Sequence, residues 1–208
     1  MLKELLNRYP ALAVCRGEIE DAVQALIACY AGGGKLFTCG NGGSCADADH
    51  IVGELMKGFL KKRALSQDTR QAMQARCSTL SEETMDKLQG ALPALSLCSL
   101  TALNTAVSND LEPALIYAQS LLGLGSAGDV LLCISTSGNA KNVCTAAQVA
   151  KGLGLTVLAL TGSSGGTLRE LADICIRVPE AETYKVQELH LPVYHHLCAA
   201  VEAHFFAE

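Results

Sequence analysis

His50 and Glu54 stand four residues apart, a spacing that stacks two side chains on one face of a helix. A carboxylate beside an imidazole can carry protons to and from a carbon next to a carbonyl. A second group, Gln187, Glu188, His190, His195 and His196, crowds one helical stretch near the C-terminus and holds three of the chain's five histidines. Gln187 and His195 are eight residues apart, about 80° around a helix, so they lie on adjoining faces two turns apart. A single histidine on a helix is usually a satisfied surface or core residue. Three in one helix are harder to explain that way.

Two short loops supply what these groups would act beside. Cys39-Gly40-Asn41-Gly42-Gly43-Ser44 ends an apolar run and opens a helix. Its glycines let the backbone turn tightly, the N–H groups of the helix start point at an anion, and Ser44 adds a donor. Ser135-Thr136-Ser137-Gly138-Asn139 occupies the same place after another apolar run. Three hydroxyls, a glycine and a helix start form a phosphate cradle without fixed positive charge; a capping turn needs only one hydroxyl. A third loop, Thr161-Gly162-Ser163-Ser164-Gly165-Gly166, repeats the theme. The G-x-G-x-x-G spacing is absent, so no nucleotide cofactor is expected.

Five apolar runs must carry these loops: Lys35–Gly40, Leu92–Leu97, Asp129–Ser135, Leu155–Thr161 and Asp173–Val178. Each is strand-length and bounded by Gly, Pro, Ser or Asp. Helical spacing fills Ala46–Phe59, Pro113–Leu122, Lys141–Lys151 and Thr167–Leu171 between them. The alternation predicts an α/β fold, a doubly wound five-stranded parallel sheet with helices on both faces. Extra N-terminal helices are expected over Leu2–Tyr9 and Arg16–Ala31. A long helix should run from Thr183 to Phe206, kinked or restarted at Pro192. We expect a single domain with a helical insertion at about 61–90, polar enough to form a surface hairpin, lid or oligomer contact. Lys61, Lys62 and Arg63 read as a solvated helix end.

The 208 residues are half hydrophobic, with a net charge of −5. That excludes a disordered chain and argues against nucleic acid or an anionic membrane as partner. No run of eighteen apolar residues appears. Ten cysteines, none in a C-x-x-C pair, read as small buried hydrophobes in a reducing cytoplasm. So apolar a chain suggests a surface covered in an oligomer.

Taken in order, these motifs resemble the sugar isomerase (SIS) family: Gly40–Ser44 with His50 and Glu54, Val107-Ser108-Asn109-Asp110, Ser135–Asn139, Leu160-Thr161-Gly162, and Gln187-Glu188-x-His190 with His195. Within it the phosphoheptose isomerases, which act on sedoheptulose 7-phosphate, are most similar. The resemblance runs from about Gly33 to the C-terminus and leaves out Lys61–Gly90. It implies the SIS, flavodoxin-like sheet and a phosphorylated-sugar substrate held by Asn41, Gly42, Gly43, Ser44, Asn109, Asp110, Ser135, Thr136, Ser137, Asn139 and Gln187. Of these, Ser44, Ser135, Thr136 and Ser137 match phosphate-binding positions. The resemblance further implies Glu54 as the base, His195 as the acid, and in some members zinc held by His50, Glu54, Gln187 and His195. It also implies a homotetramer in which the counterparts of Glu54 and His195 meet across subunit contacts.

Two positions depart from the pattern. Ala140 replaces a further serine of the phosphate loop, and Gly58, with Lys57 beside it, stands where an arginine is usual. The alternative from another class is a non-catalytic SIS protein, a sugar-phosphate sensor or an adaptor of the DnaA-initiator-associating type. The joint presence of Glu54, Gln187 and His195 favours the enzyme.

Overall fold

Short apolar runs, buried on both faces in the three central strands and half-buried at the two edges, form the sheet of the computed structural model, which describes residues 1–206. They are β1 (Leu36–Gly40), β2 (Ala94–Ser96), β3 (Val130–Ser135), β4 (Thr156–Thr161) and β5 (Ile174–Arg177). All pair in parallel in the order β2-β1-β3-β4-β5. Side chains alternate across a strand, so register divides the core in two. Leu36, Val130, Leu132, Leu158 and Ile176 pack one face, while Phe37, Leu131, Cys133, Val157 and Ala159 pack the other.

The first face is covered by α1 (Leu2–Arg8), α2 (Arg16–Ala31), α3 (Gly43–Met56) and α10 (Thr183–Phe205) through Leu5, Ile19, Leu26, Ile51, Leu55 and Leu197. The second is covered by α7 (Ile116–Leu124) and α8 (Lys141–Gly152) through Tyr117, Leu121, Val143 and Ala147, and by Leu168 of α9 (Leu168–Leu171). The strand after β1 lies on one side of it and β3 on the other, so the β1 and β3 loops flank the crevice where such sheets bind ligands. Among the described residues no helix is long and apolar enough to cross a membrane.

Two expectations need correction, and of the two alternatives at Pro192 the restart is ruled out. Helix α10 runs through Pro192 as one element instead of restarting there. An interior proline costs about 3 kcal/mol. Burial of Val193, Leu197 and Val201 beyond it recovers roughly 1.5–3 kcal/mol per side chain, so packing wins. The stretch after β2 is a further helix, α6 (Thr101–Asp110), where no helix was predicted. Arg63 is no solvated helix end: it is only 1% exposed.

The polar segment around it is a hairpin of α4 (Gln67–Arg76) and α5 (Glu82–Lys87), each capped by a serine, Ser66 or Ser81. Arg70 bridges Glu82 and Asp86 between the two helices. An Ala64–Gln89 bridge and the Gly90 amide on the Arg63 carbonyl close its base.

Candidate active site

Helix α3 begins directly after the β1 turn and carries Asp47, His50 and Glu54 along one flank; α10 crosses it and brings Gln187, Tyr194 and His195. His50 Nε2 lies 3.2 Å from Glu54 Oε1. Lys57 donates to Glu54 Oε2 at 3.0 Å, so the side chain beside Gly58 does reach the glutamate. The His195 ring stands 5.1 Å from that of His50 and 5.4 Å from Phe59, centre to centre. Glu54 and His195 therefore flank His50 within one chain. Burial holds His195 below the ordinary histidine range; His50 pushes the same way and Glu54 opposes.

Behind His50 stands Tyr194, 1% exposed, whose hydroxyl donates to Asp47 Oδ1 at 3.1 Å and sits 3.0 Å from His50 Nδ1. Burial, then the Asp47 charge, pushes the phenol upward, so it keeps its proton. Burial likewise raises Asp47, against the hydrogen bond from Tyr194. Neither residue is conspicuous in the sequence, although Asp47 is three residues before His50 and Tyr194 adjoins His195.

Gln187 ties this cluster to the loops. A Cβ added to Gly43 would lie 2.5 Å from Gln187 Nε2, so only glycine admits the last helix this close to the β1 turn. Ser44 is 3% exposed and packs under Gly40, its amide turned to the Asn41 carbonyl. It is a buried member of the turn more than an open donor. Asn41 exchanges side-chain hydrogen bonds with Asn142 of α8, both 2.9 Å, and accepts one from Tyr117. The two loops are thus clamped together at the crevice by Asn142, which the sequence did not single out.

In the second loop Ser135 is buried at the strand end, Thr136 is half-buried and Ser137 is exposed. Gly138 has φ +69, and a Cβ there would collide with the Gly165 carbonyl. Asn139 is engaged internally: its Oδ1 accepts from the Thr167 amide and hydroxyl at 2.9 Å, and its Nδ2 donates to the Ser137 carbonyl. The third loop therefore buttresses the second. Asn109 and Asp110 bond each other at the exposed end of α6, and among the described residues no hydrogen bond links them to the serine loop.

Arg63 was the residue least visible beforehand. Its Nε donates to Glu202 Oε1 at 2.8 Å, Nη1 to the Leu55 carbonyl at 2.6 Å and Nη2 to the carbonyl of Glu54 itself at 3.0 Å. Glu202 also accepts from the amides of Phe59 and Leu60 at 2.8 and 2.7 Å. The end of the helix carrying Glu54, the root of the hairpin and the C-terminal helix meet in this pair.

Models of the SIS domain match residues 11–94 and 102–200. A phosphoheptose isomerase of Rhodospirillum rubrum is 37% identical over 191 residues, 92% of this chain and 88% of its own length. The chain belongs to the phosphoheptose isomerase family. Structures of family members agree: the phosphoheptose isomerase of Neisseria gonorrhoeae superposes with a TM-score of 0.74 at 28% identity, covering 96% of this chain and 94% of that one. That of Francisella tularensis gives 0.73 at 32%, covering 89% and 85%.

The SIS resemblance also implies zinc in some family members, and the donors suit it in kind: two imidazoles, a carboxylate and an amide. His195 Nε2 is buried without a hydrogen-bond partner, as a waiting donor would be. Yet among the described residues no three His, Cys, Asp or Glu side chains converge on one point. Glu54 instead holds His50 and Lys57.

Proposed function

We propose that this protein converts sedoheptulose 7-phosphate to a heptose 7-phosphate, with Glu54 and His195 doing the chemistry. The observation that supports this most is the acid–base cluster on α3 and α10 set beside the β1 turn, where Gln187 packs on Gly43 and Asn41 is hydrogen-bonded to Asn142 of α8, the helix that the hydroxyl-rich β3 loop opens. The substrate phosphate is placed at Ser135, Thr136 and Ser137, at the crevice end of α8. Its binding energy orients the far end of the sugar. The Glu54 carboxylate takes a proton from C1 of the ketose, giving an enediol, and returns a proton to C2. His195 protonates the C2 oxygen and then takes the proton of the C1 hydroxyl, which restores it, so the net change is isomerisation alone.

His50, Glu54, Gln187 and His195 are the residues that would hold zinc, which when bound supplies charge stabilisation to the developing oxyanion. Asn41, Gly42, Gly43 and Ser44 shape the near wall of the crevice, and Asn139 acts by holding the serine loop. We place Asn109 and Asp110 at the edge of a site completed in an oligomer, as the tetramer reading requires. Exposed apolar side chains support that assembly, among them Val14, Leu60, Leu111 and Leu122, each more than half exposed. The ten free thiols suit a cytoplasmic setting.

The test is turnover of sedoheptulose 7-phosphate by the parent protein and by Glu54→Gln, which keeps the shape and removes the base. The expected loss is about 100-fold or more in kcat. Undiminished turnover by the variant overturns the mechanism. No turnover of ketose phosphates by the parent, with or without zinc, returns the protein to the sensing class.

A further inference from the structure

We infer that Asn142 is a positioning residue. Its side-chain amide, paired with that of Asn41, sets the gap between the phosphate loop and the acid–base cluster, and with it the length of carbon chain the site accepts. The argument starts from topology. The chain leaving β1 enters α3 on the first face of the sheet, and the chain leaving β3 enters α8 on the second. Gly40 and Ile134 are the last residues paired between these two strands. Beyond them the loops part to opposite faces. Asn41 is the first residue past that fork, and Asn142 lies in the first turn of α8. Asn41 Nδ2 donates to Asn142 Oδ1, and Asn142 Nδ2 donates to Asn41 Oδ1, both at 2.9 Å. The two side chains close the fork that the backbone ladder leaves open.

The pair fits together in one orientation. Asn142 Oδ1 also accepts from the Val143 amide at 3.0 Å, so turning the Asn142 amide over would set donor against donor. With Asn142 fixed, Asn41 must offer its nitrogen to that oxygen and its oxygen to the Asn142 nitrogen. Tyr117 of α7 holds the same corner, its hydroxyl 2.5 Å from the Gly40 carbonyl and 3.2 Å from Asn41 Oδ1. The functional step rests on the isomerase reading, in which the phosphate sits on Ser135–Ser137 and the reacting carbons lie at Glu54 and His195. The β3 loop opens the helix of Asn142, and the β1 turn that holds Asn41 opens the helix of Glu54. The amide pair therefore ties the anchor to the base. A ketose phosphate too short for this span cannot bring its carbonyl to Glu54 while its phosphate stays seated, and a gap held at one width rejects it.

The experiment compares the parent with Asn142→Ala, Asn41→Ala and the double variant. Steady-state kinetics are measured on sedoheptulose 7-phosphate and on the five-carbon ribulose 5-phosphate, and 31P NMR titration reads the affinity for inorganic phosphate. Each single variant should lower kcat/KM for the seven-carbon sugar about tenfold or more and narrow its advantage over the five-carbon sugar by a similar factor. The double variant should lose no more than either single, because the two amides act as one unit. Asn41→Ala leaves the bond from Val143 to Asn142 intact, so a loss common to both singles belongs to the pair; it also carries the test alone where Asn142→Ala does not fold. Phosphate affinity should stay within about twofold of the parent, since the serine hydroxyls are untouched. An unchanged ratio between the two sugars overturns the proposal, as does a parent that turns both over equally well. Losses that multiply in the double variant overturn it too, and so does phosphate affinity that falls with the rate, the mark of a collapsed loop. No turnover of either sugar by the parent is a distinct outcome, which removes the isomerase reading and this proposal together.

Discussion

Replacing Arg63 with alanine removes an ion pair that is 0% exposed on the arginine side chain and 1% on Glu202. Breaking one side of a buried pair costs about 3–5 kcal/mol, mostly because the remaining charge stays desolvated. Here Glu202 keeps the Phe59 and Leu60 amides, so the lower end, about 3 kcal/mol, is expected. For a chain of this length that lowers Tm by roughly 6–12 °C. The sharper perturbation is the double change Arg63→Met with Glu202→Leu. Isosteric apolar replacement of an isolated buried pair is often neutral. This pair also satisfies four backbone groups, the Glu54 and Leu55 carbonyls and the Phe59 and Leu60 amides. Each left unpaired costs about 1–3 kcal/mol. The double variant should therefore remain destabilised, and kcat should fall because Phe59, packed on His195, loses its anchor. Scanning calorimetry at one fixed protein concentration measures this, since association shifts the midpoint. A double variant as stable as the parent refutes the reasoning.

Ser137→Ala should raise KM for phosphorylated sugars about tenfold with kcat nearly kept, since a hydrogen bond to a charged group contributes roughly 1.5–3 kcal/mol; steady-state kinetics reads it. Asn139→Ala removes two bonds to Thr167 and should lower stability by about 1–2 kcal/mol in urea titrations. Burial pushes His190 down to about 4, against the Thr161 backbone. As pH falls from about 6.5, the unfolded chain takes up a proton there that the folded chain refuses. Stability should fall by up to about 3 kcal/mol through that window, and urea midpoints in His190→Phe should show a flatter profile. For Glu202 burial favours the neutral acid, but the Phe59 and Leu60 amides and then Arg63 prevail and lower it. Its contribution is present above the unfolded value of about 4.3 and is lost as pH falls through the lower folded value.

The parts of this molecule that were legible beforehand share one property: their partners are near in sequence or are implied by periodicity. The five strands could be read because a buried parallel strand is a continuous apolar run, and their ends fell within about two residues of those expected. His50 and Glu54 could be read because four residues make one helical turn, and the serine loop because its hydroxyls are consecutive. Helix α6 was missed because its sequence, Thr-Ala-Leu-Asn-Thr-Ala-Val-Ser-Asn-Asp, buries a single residue, Val107, and so carries almost no apolar stripe. Arg63 was misread for the opposite reason. It follows two lysines in a polar run, yet its partner lies 139 residues away on α10, and nothing local marks one cation of three as buried. Tyr194 and Asp47, 147 residues apart, met the same obstacle. A buried polar side chain is specified by the group it must satisfy, and that group is chosen by the packing of two helices. Such residues become visible only after the hydrophobic core has set those helices side by side. Here the least legible groups are those that hold Glu54 and His50 in place.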